Sequence, residues 1–249
     1  MYLSVILPSF NEIKNIQSGV LEEVYSYLLK QDYSFELILS DDGSRDGTVE
    51  ALQAFAKGKP QVRVLANAHR TKGPTVISGL LVAKGEYRLF SDFDQATPIS
   101  EVAKLLAQTP KHDVVIGSRE GKGASRKKEP FHRHLMGRVF NAAVQSIALP
   151  GIWDTQCGFK LFSAQAAKEL CPKVVVYGES DQKGAFTGAF DVELLYLAQK
   201  FGYSIAEVPV SWKYVKTNRV DPIKDSIHMF IDILRIRLAD MQGKYDSKK

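Results

Sequence analysis

The sequence predicts an α/β fold with a mostly parallel central sheet and helices on both faces. Two observations carry this reading. Short aliphatic runs alternate with amphipathic helical stretches five times over residues 1–117, and parallel strands need such crossover helices. Carboxylates or small polar residues close several of the runs, which gathers polar chemistry along one edge of the sheet.

The elements follow in order. Tyr2 to Leu7 is a short apolar run stopped by Pro8 and predicts a buried strand. Asn11 is placed to cap a helix running to about Lys30, with Ile13, Ile16, Val20, Leu21, Val24 and Leu28 as its apolar stripe. Phe35 to Leu39 is the second strand, broken by Asp41-Asp42-Gly43-Ser44. A helix from about Asp46 to Lys57 carries Val49, Leu52 and Phe55, and Val62 to Leu65 is the third strand. A basic turn, Asn67 to Gly73, leads into a helix holding Val76, Ile77, Leu80 and Leu81. Glu86 to Phe90 is the fourth strand, Pro98 starts a helical stretch that includes Val102 to Leu106, and Asp113 to Gly117 is the fifth strand.

The second half reads differently. Residues 119–134 are loop-like and basic, with Arg119, Lys122, Arg126, Lys127, Lys128, Arg133 and two histidines against Glu120 and Glu129. A long helix is expected over Phe131 to Ile147, a strand over Cys157 to Phe162, and a polar, glycine-rich mobile loop over 178–188. Phe190 to Lys200 has helical spacing, and Tyr203 to Val210 has the character of a strand. The last helix, Pro222 to Met241, puts Ile223, Ile227, Phe230, Ile231, Leu234, Leu238 and Met241 on one side. It either packs on the domain or lies in a membrane interface.

Composition narrows the classes. With 249 residues, 45% of them hydrophobic and 24% charged, the chain has ample material for one large core. Its net charge of +5 is mildly basic, so local clustering matters more than the total. Cys157 and Cys171 lack metal-ligand spacing and form no disulfide framework, which fits a reducing compartment. No charged and apolar leader precedes the first strand, and no run of about 18 apolar residues occurs. Any membrane contact is therefore expected to be peripheral, on the cytoplasmic face.

Three strand ends carry candidate chemistry. Asp92-Phe93-Asp94 sits where the fourth strand meets a turn. Hard cations such as Mg²⁺ or Mn²⁺ take oxygen ligands and bridge carboxylates to substrate phosphates, so Asp92 and Asp94 are candidates for a metal–diphosphate site. Pro8-Ser9-Phe10-Asn11-Glu12 is either a plain strand-to-helix turn or the floor of a nucleotide pocket. Asp41 and Asp42 either belong to a glycine turn or accept hydrogen bonds from a base or ribose. Adjacent carboxylates at a strand end are costly without a partner, which favours function.

The order of these segments, with Gly117-Ser118-Arg119 and Asp154-Thr155-Gln156-Cys157-Gly158-Phe159-Lys160, resembles the family-2 inverting glycosyltransferases. Within them the likeness is to dolichyl- or polyprenyl-phosphate sugar synthases, over roughly residues 2–240. The resemblance implies a GT-A fold with a Rossmann-like nucleotide-binding half and a nucleotide-sugar donor. It puts Pro8, Asn11, Glu12, Asp41, Asp42 and Asp92 at the donor nucleotide, and Asp92 and Asp94 at the metal. Arg119 and Arg133 become acceptor-phosphate ligands, using the guanidinium's grip on phosphate. Asp154 and Gln156 are expected near the sugar and acceptor. Arg219 and Lys224 are candidates for a loop closing over the diphosphate. Asp94, Arg119, Asp154 and Asp191 form the expected catalytic set. A single domain is implied over residues 1–249: a donor half, 1–117, an acceptor half, 118–220, and a terminal helix with its tail, 221–249.

Phe190-Asp191-Val192-Glu193 departs from the family's Glu-Asp pair, whose Asp acts as general base. A hydroxyl acceptor needs such a base; a phosphate acceptor is already anionic and needs positioning and charge neutralisation. Asp191 and Glu193 could still orient the sugar or hold the loop. The expected reaction is transfer of glucose from UDP-glucose, or next of mannose from GDP-mannose, to a polyprenyl phosphate at a membrane surface. The enzymatic alternative is transfer to a sugar hydroxyl with Asp191 as base, and a degenerate relative would bind a nucleotide sugar without transferring it. A phosphate- or nucleic-acid-binding module on residues 119–138 would leave the carboxylates unexplained, so no nucleic-acid partner is expected.

Overall fold

The computed structural model describes residues 1–127, 131–177, 189–215 and 222–246, without the side chains of 131–136 and 222–226. The first half alternates β1 (Leu3–Ser9), α1 (Ile13–Gln17), α2 (Val20–Leu29), β2 (Phe35–Asp41), α3 (Thr48–Ala56), β3 (Val62–Ala66), α4 (Lys72–Val82), β4 (Tyr87–Ser91), α5 (Val102–Leu106) and β5 (Val114–Ser118). The second half adds β6 (Ser125–Lys127), α6 (Phe131–Ile147), β7 (Phe159–Ser163), α7 (Ala164–Leu170), α8 (Phe190–Lys200), β8 (Ile205–Pro209), β9 (Ser211–Lys213) and α9 (Pro222–Met241).

Seven strands form one sheet in the order β3-β2-β1-β4-β7-β5-β8, and β6 pairs with β9 in a small parallel ribbon. Every pairing in the large sheet is parallel except those of β7, which runs antiparallel between β4 and β5. The expected mostly parallel sheet is therefore present, and β7 and β8 from the second half complete it.

Alternation along the strands divides the core. Ile6 and Ile38 face the cluster that holds Val76, Leu80 and Phe190, while Val5, Leu7, Leu37 and Leu39 face Leu21, Val24 and Leu52. β1 and β2 are buried throughout, as parallel strands covered on both faces must be.

Several local expectations shift. Pro8 does not stop β1; it lies inside the strand. The β1–β4 ladder ends at the Ile6–Phe90 pair, so the missing N–H of Pro8 costs that ladder nothing. The single helix expected from Asn11 to Lys30 is two helices, separated at Gly19, whose φ of 89° breaks the helical run. Asn11 is not the cap of α1; Glu12 holds that position. α7, capped by the Ser163 side chain, and the β6–β9 ribbon were not anticipated. They are short and carry little periodic signal.

One side of α9 packs on the domain and the other is exposed. Ile233, Ile236 and Ala239 pack into the core, whereas Ile227, Phe230, Ile231, Leu234, Leu238 and Met241 are exposed. The predicted stripe is the outer one, apart from Ile223, whose side chain lies outside the described residues.

Gly79 of α4 lies directly on β1: a Cβ there would be 2.5 Å from Ile6 Cγ2. Gly79→Ala is expected to lower stability by about 1–3 kcal/mol, because overpacking outweighs alanine's better helix propensity. Urea unfolding measures this, and an unchanged or higher midpoint would contradict the packing.

Candidate active site

β1, β2 and β4 are parallel neighbours, so their C-terminal ends share one edge. Asp41, Asp42, Asp92 and Asp94 come together there, beside Asn11 and Glu12. Antiparallel β7 brings Cys157 and Gly158 back to that edge, where Asp92 N donates to Gly158 O at 2.9 Å. Gly158 is required for this approach, since a Cβ would lie 2.0 Å from an Asp92 carboxylate oxygen.

Asp92 and Asp94 are held differently. Asp92 Oδ1 accepts from Lys72 Nζ at 2.5 Å. Asp94 accepts from Ala96 N at 3.0 Å. Burial pushes the Asp94 carboxyl up to about 6, with neighbouring Asp92 adding to the rise. Beside them Gln95 donates to Ser91 Oγ and Asp92 O, while its side-chain carbonyl is buried without a hydrogen-bond partner. Among the described residues no group of three or more His, Cys, Asp or Glu forms a closed metal cage. Two carboxylates and one amide carbonyl, all hard oxygens, suit a Mg²⁺ or Mn²⁺ ion that takes its remaining ligands from a diphosphate. The charge that burdens Asp94 is the charge such an ion would neutralise. Lys72 had no role in the sequence reading. Its signal was its place: a lysine in the first turn of a helix opposes the dipole unless a carboxylate meets it.

Asp41 and Asp42 are paired by the protein itself. Asp41 accepts from Ser9 Oγ, Ser44 Oγ and Ser44 N. Asp42 accepts from Arg70 N, Thr71 N, Thr75 Oγ1 and His69 Nδ1. The cost of adjacent carboxylates, which had favoured a ligand, is thus met by loop donors. Asn11, at φ 54°, ties two loops together through Ser44 Oγ and Arg45 N. Glu12 N bonds Thr48 Oγ1, and the Glu12 charge adds to the rise at Asp94. An aromatic wall stands beside these loops and was missed in sequence: Phe10 and His69 stack with centroids 4.5 Å apart and planes 13° apart.

Arg119 and Asp154 form one unit. Arg119 Nε and Nη2 each donate to Asp154 at 2.8 Å, and its backbone N–H joins them. The guanidinium also lies 5.3 Å from the centre of the Trp212 ring. Asp154 is fully buried, and the Arg119 charge and hydrogen bonds outweigh burial to hold its carboxyl down at about 2. Glu207 of β8 takes the N–H groups of Trp153 and Asp154. Asp154, expected beside the sugar, is buried with both oxygens bonded to Arg119, and Gln156 N also donates to Oδ1 at 3.3 Å. That edge of Arg119 is correspondingly spent on Asp154. Gln156, by contrast, keeps a buried Nε2 with no hydrogen-bond partner.

Asp191 and Glu193 are both buried. Asp191 Oδ1 lies 3.1 Å from Lys160 Nζ, which is itself buried and donates to Cys157 O at 2.5 Å. Burial raises the Asp191 carboxyl, against the pull of Lys160 and Lys72. Glu193 accepts from the N–H groups of Val175, Val176 and Tyr177 and from the Tyr245 hydroxyl, so it holds the segment that leads into 178–188. That expected loop and Arg219 lie outside the described residues, as do the side chains of Arg133 and Lys224.

The family model described as "Glycosyl transferase family 2" matches residues 4–171. The chain belongs to that family.

As a family 2 glycosyltransferase it is similar over its whole length to dolichyl-phosphate beta-glucosyltransferases. The Dictyostelium discoideum protein is 36% identical, covering 100% of this chain and 77% of its own. The human protein is 34% identical, covering 98% and 77%, and the Saccharomyces cerevisiae protein 33%, covering 100% and 78%. Solved structures share the GT-A-like fold. Glucosyl-3-phosphoglycerate synthase from Mycobacterium tuberculosis, with Mn²⁺, UDP and glucosyl-3-phosphoglycerate, matches at TM-score 0.64 and 20% identity, covering 96% of this chain and 79% of that one. A Pyrobaculum calidifontis mannosyltransferase with GDP-mannose and Mn²⁺ matches at TM-score 0.57 and 18% identity, covering 97% and 71%. The expected fold, family and enzyme class are thereby established. Among the described residues no helix of this glycosyltransferase is long and apolar enough to cross a membrane.

The Arg119–Asp154 unit makes a prediction about pH. A carboxyl lowered from 3.8 to about 2 contributes stability above pH 4 and loses it as pH falls towards 2. Asp154→Asn is expected to cost about 2–3 kcal/mol at pH 7, with a smaller gap to wild type at pH 2.5. Urea unfolding at both pH values measures it, and a gap independent of pH would contradict the ionic pair.

Proposed function

We propose that this glycosyltransferase moves glucose from UDP-glucose to a dolichyl or polyprenyl phosphate, with inversion and with Mg²⁺ or Mn²⁺ at Asp92 and Asp94. One observation in the site carries the acceptor reading. Asp191, the candidate base, is in a buried ion pair with Lys160, which suits an acceptor that arrives already ionised. Full-length similarity to dolichyl-phosphate beta-glucosyltransferases supports both the sugar and the lipid. Neighbours solved with UDP and Mn²⁺ support the donor class and the metal.

In this mechanism an acceptor phosphate oxygen attacks the anomeric carbon on the face opposite the diphosphate. The new C–O bond forms as the bond to the β-phosphate breaks, and that bonding pair leaves with UDP. The metal, when bound, supplies positive charge to the departing diphosphate. Asp92 and Asp94 would hold it, with the Gln95 carbonyl beside them. Residues 1–117 carry the donor, with Pro8, Asn11 and Glu12 flooring the pocket and Asp41 and Asp42 bracing its loops behind the Phe10–His69 wall. Residues 118–220 carry the acceptor: Asp154 presets Arg119 for its phosphate, with Arg133 as a second ligand and Gln156 Nε2 as a neutral donor. Arg219 and Lys224 close over the diphosphate.

The outer stripe of α9, within residues 221–249, seats the enzyme on the cytoplasmic face of the membrane that contains the acceptor. Six apolar side chains exposed along one helix support this placement.

A panel of nucleotide sugars with Mg²⁺ or Mn²⁺ and a short polyprenyl phosphate tests the reaction. UDP release from UDP-glucose, dependent on the lipid phosphate and lost on Asp94→Asn by a factor on the order of 10², is the expected result. No nucleotide release with any donor would sink the proposal.

One feature favours the second reading, transfer to a sugar hydroxyl: burial raises the Asp191 carboxyl despite the pull of Lys160 and Lys72. Asp191→Asn separates the two. With a phosphate acceptor, kcat stays within about tenfold of wild type and the variant mainly loses stability, because Lys160 is left unpaired. A fall in kcat of about 10²–10⁴ together with loss of the acidic limb of the pH profile would identify Asp191 as a base.

A further inference from the structure

We propose that Lys72 is an exchangeable counter-ion: it holds Asp92 while the site is empty and moves its ammonium onto the diphosphate when the donor is bound. This rests on the reading of Asp92 and Asp94 as the metal–diphosphate site.

The two lysines of the site differ in their freedom to move. Both ammonium groups lie over the face of Phe90, Lys72 at 5.2 Å and Lys160 at 6.0 Å from its centre. Lys160 is fixed: its side chain is 0% exposed, bonded to Cys157 O and paired with Asp191. The Lys72 side chain is 24% exposed and that of its partner Asp92 is 33% exposed, so this pair sits at the open side of the cluster. Lysine's charge rides on a flexible stem with rotatable donors, which suits a transfer between two nearby anions.

The backbone that carries Lys72 is fixed on both sides. Ahead of it, Thr71 has φ 86°, an unfavourable value for threonine, and is held by its N–H bond to Asp42. Asp42 also takes Thr75 Oγ1 in the same helical turn. Behind it, Gly73 lies against Phe190, where a Cβ would come within 3.0 Å. Lys72 thus starts α4 from a rigid turn that points its stem to the carboxylates. Asp42 braces this turn through Arg70 N, Thr71 N and Thr75 Oγ1.

Charge accounts for the exchange. Asp92, Asp94 and Asp191 face Lys72 and Lys160, so one carboxylate lacks an ammonium. Once a divalent cation satisfies Asp92 and Asp94, Lys72 is no longer needed by Asp92. Its ammonium then meets the only new anion in the site, the diphosphate, and donates hydrogen bonds to it as the anomeric C–O bond breaks. No proton is transferred; Lys72 stabilises the electron pair that the leaving oxygen receives.

Mn²⁺ binding, followed by the EPR signal of free Mn²⁺, tests this on the whole chain, with and without UDP. Removing the internal competitor in Lys72→Met is expected to tighten Mn²⁺ binding without nucleotide by about fivefold. The same variant is expected to weaken UDP binding in the presence of Mn²⁺ by about tenfold or more and to lower kcat on the order of a hundredfold. Lys72→Gln is the second variant, with the same signs expected. Unchanged Mn²⁺ and UDP binding in these variants, while Asp92→Asn loses Mn²⁺, would overturn the role of Lys72 and leave the site reading intact. Unchanged Mn²⁺ binding in Asp92→Asn, or no Mn²⁺-dependent UDP binding by wild type, would overturn the site reading and this proposal with it.

Discussion

Negative charge crowded at the C-terminal edge of a parallel sheet has to be neutralised, and the structure is arranged around that requirement. Six aspartates, Asp94 among them, meet there or close by. Asp41 and Asp42 are neutralised by hydroxyls, loop N–H groups and His69. Asp154 is neutralised by Arg119, Asp191 by Lys160 and Asp92 by Lys72. Leaving any one of them buried and bare would cost several kcal/mol. Each partner therefore fixes a piece of backbone as well as a charge: Asp42 the turn before α4, Asp154 the start of the basic segment, Asp191 the first turn of α8.

The same bookkeeping shows where ligands belong. In Asp42 and Asp154 the protein's own donors fill the carboxylate, and each holds the backbone that supplies them. Where neutralisation is incomplete, chemistry can enter. Asp94 has one backbone donor and a carboxyl raised to about 6, Gln95 has a bare carbonyl, and Gln156 has a bare amide nitrogen. These unsatisfied groups come from a β4 turn and from the segment entering β7. They share an edge because β7 runs antiparallel beside β4 and returns the chain to it.

Much of this was legible in the chain. The strand–helix alternation, the carboxylates at strand ends and the order of five short motifs were enough for the fold class and the family. Patterning failed where backbone geometry overrides residue preference. Pro8 continues a strand because the β1–β4 ladder on that side has already ended. Asn11, a good capping residue by type, adopts φ 54° and joins loops instead. Arg119 looked like a phosphate ligand and Asp154 like a sugar ligand; neither spacing nor composition could reveal that each is the other's partner, 35 residues apart.

By itself, then, the sequence determined what is periodic and local: which segments form strands and helices, which faces are apolar, and which residue types close each strand. Tertiary structure alone decided pairing. It put Lys72 on Asp92, Lys160 on Asp191 and four donors on Asp42, and it left Asp94 with a single backbone donor. The physical reason is that a carboxylate's role depends on which donors reach it. Those donors come from distant segments that only the folded sheet brings within hydrogen-bonding distance.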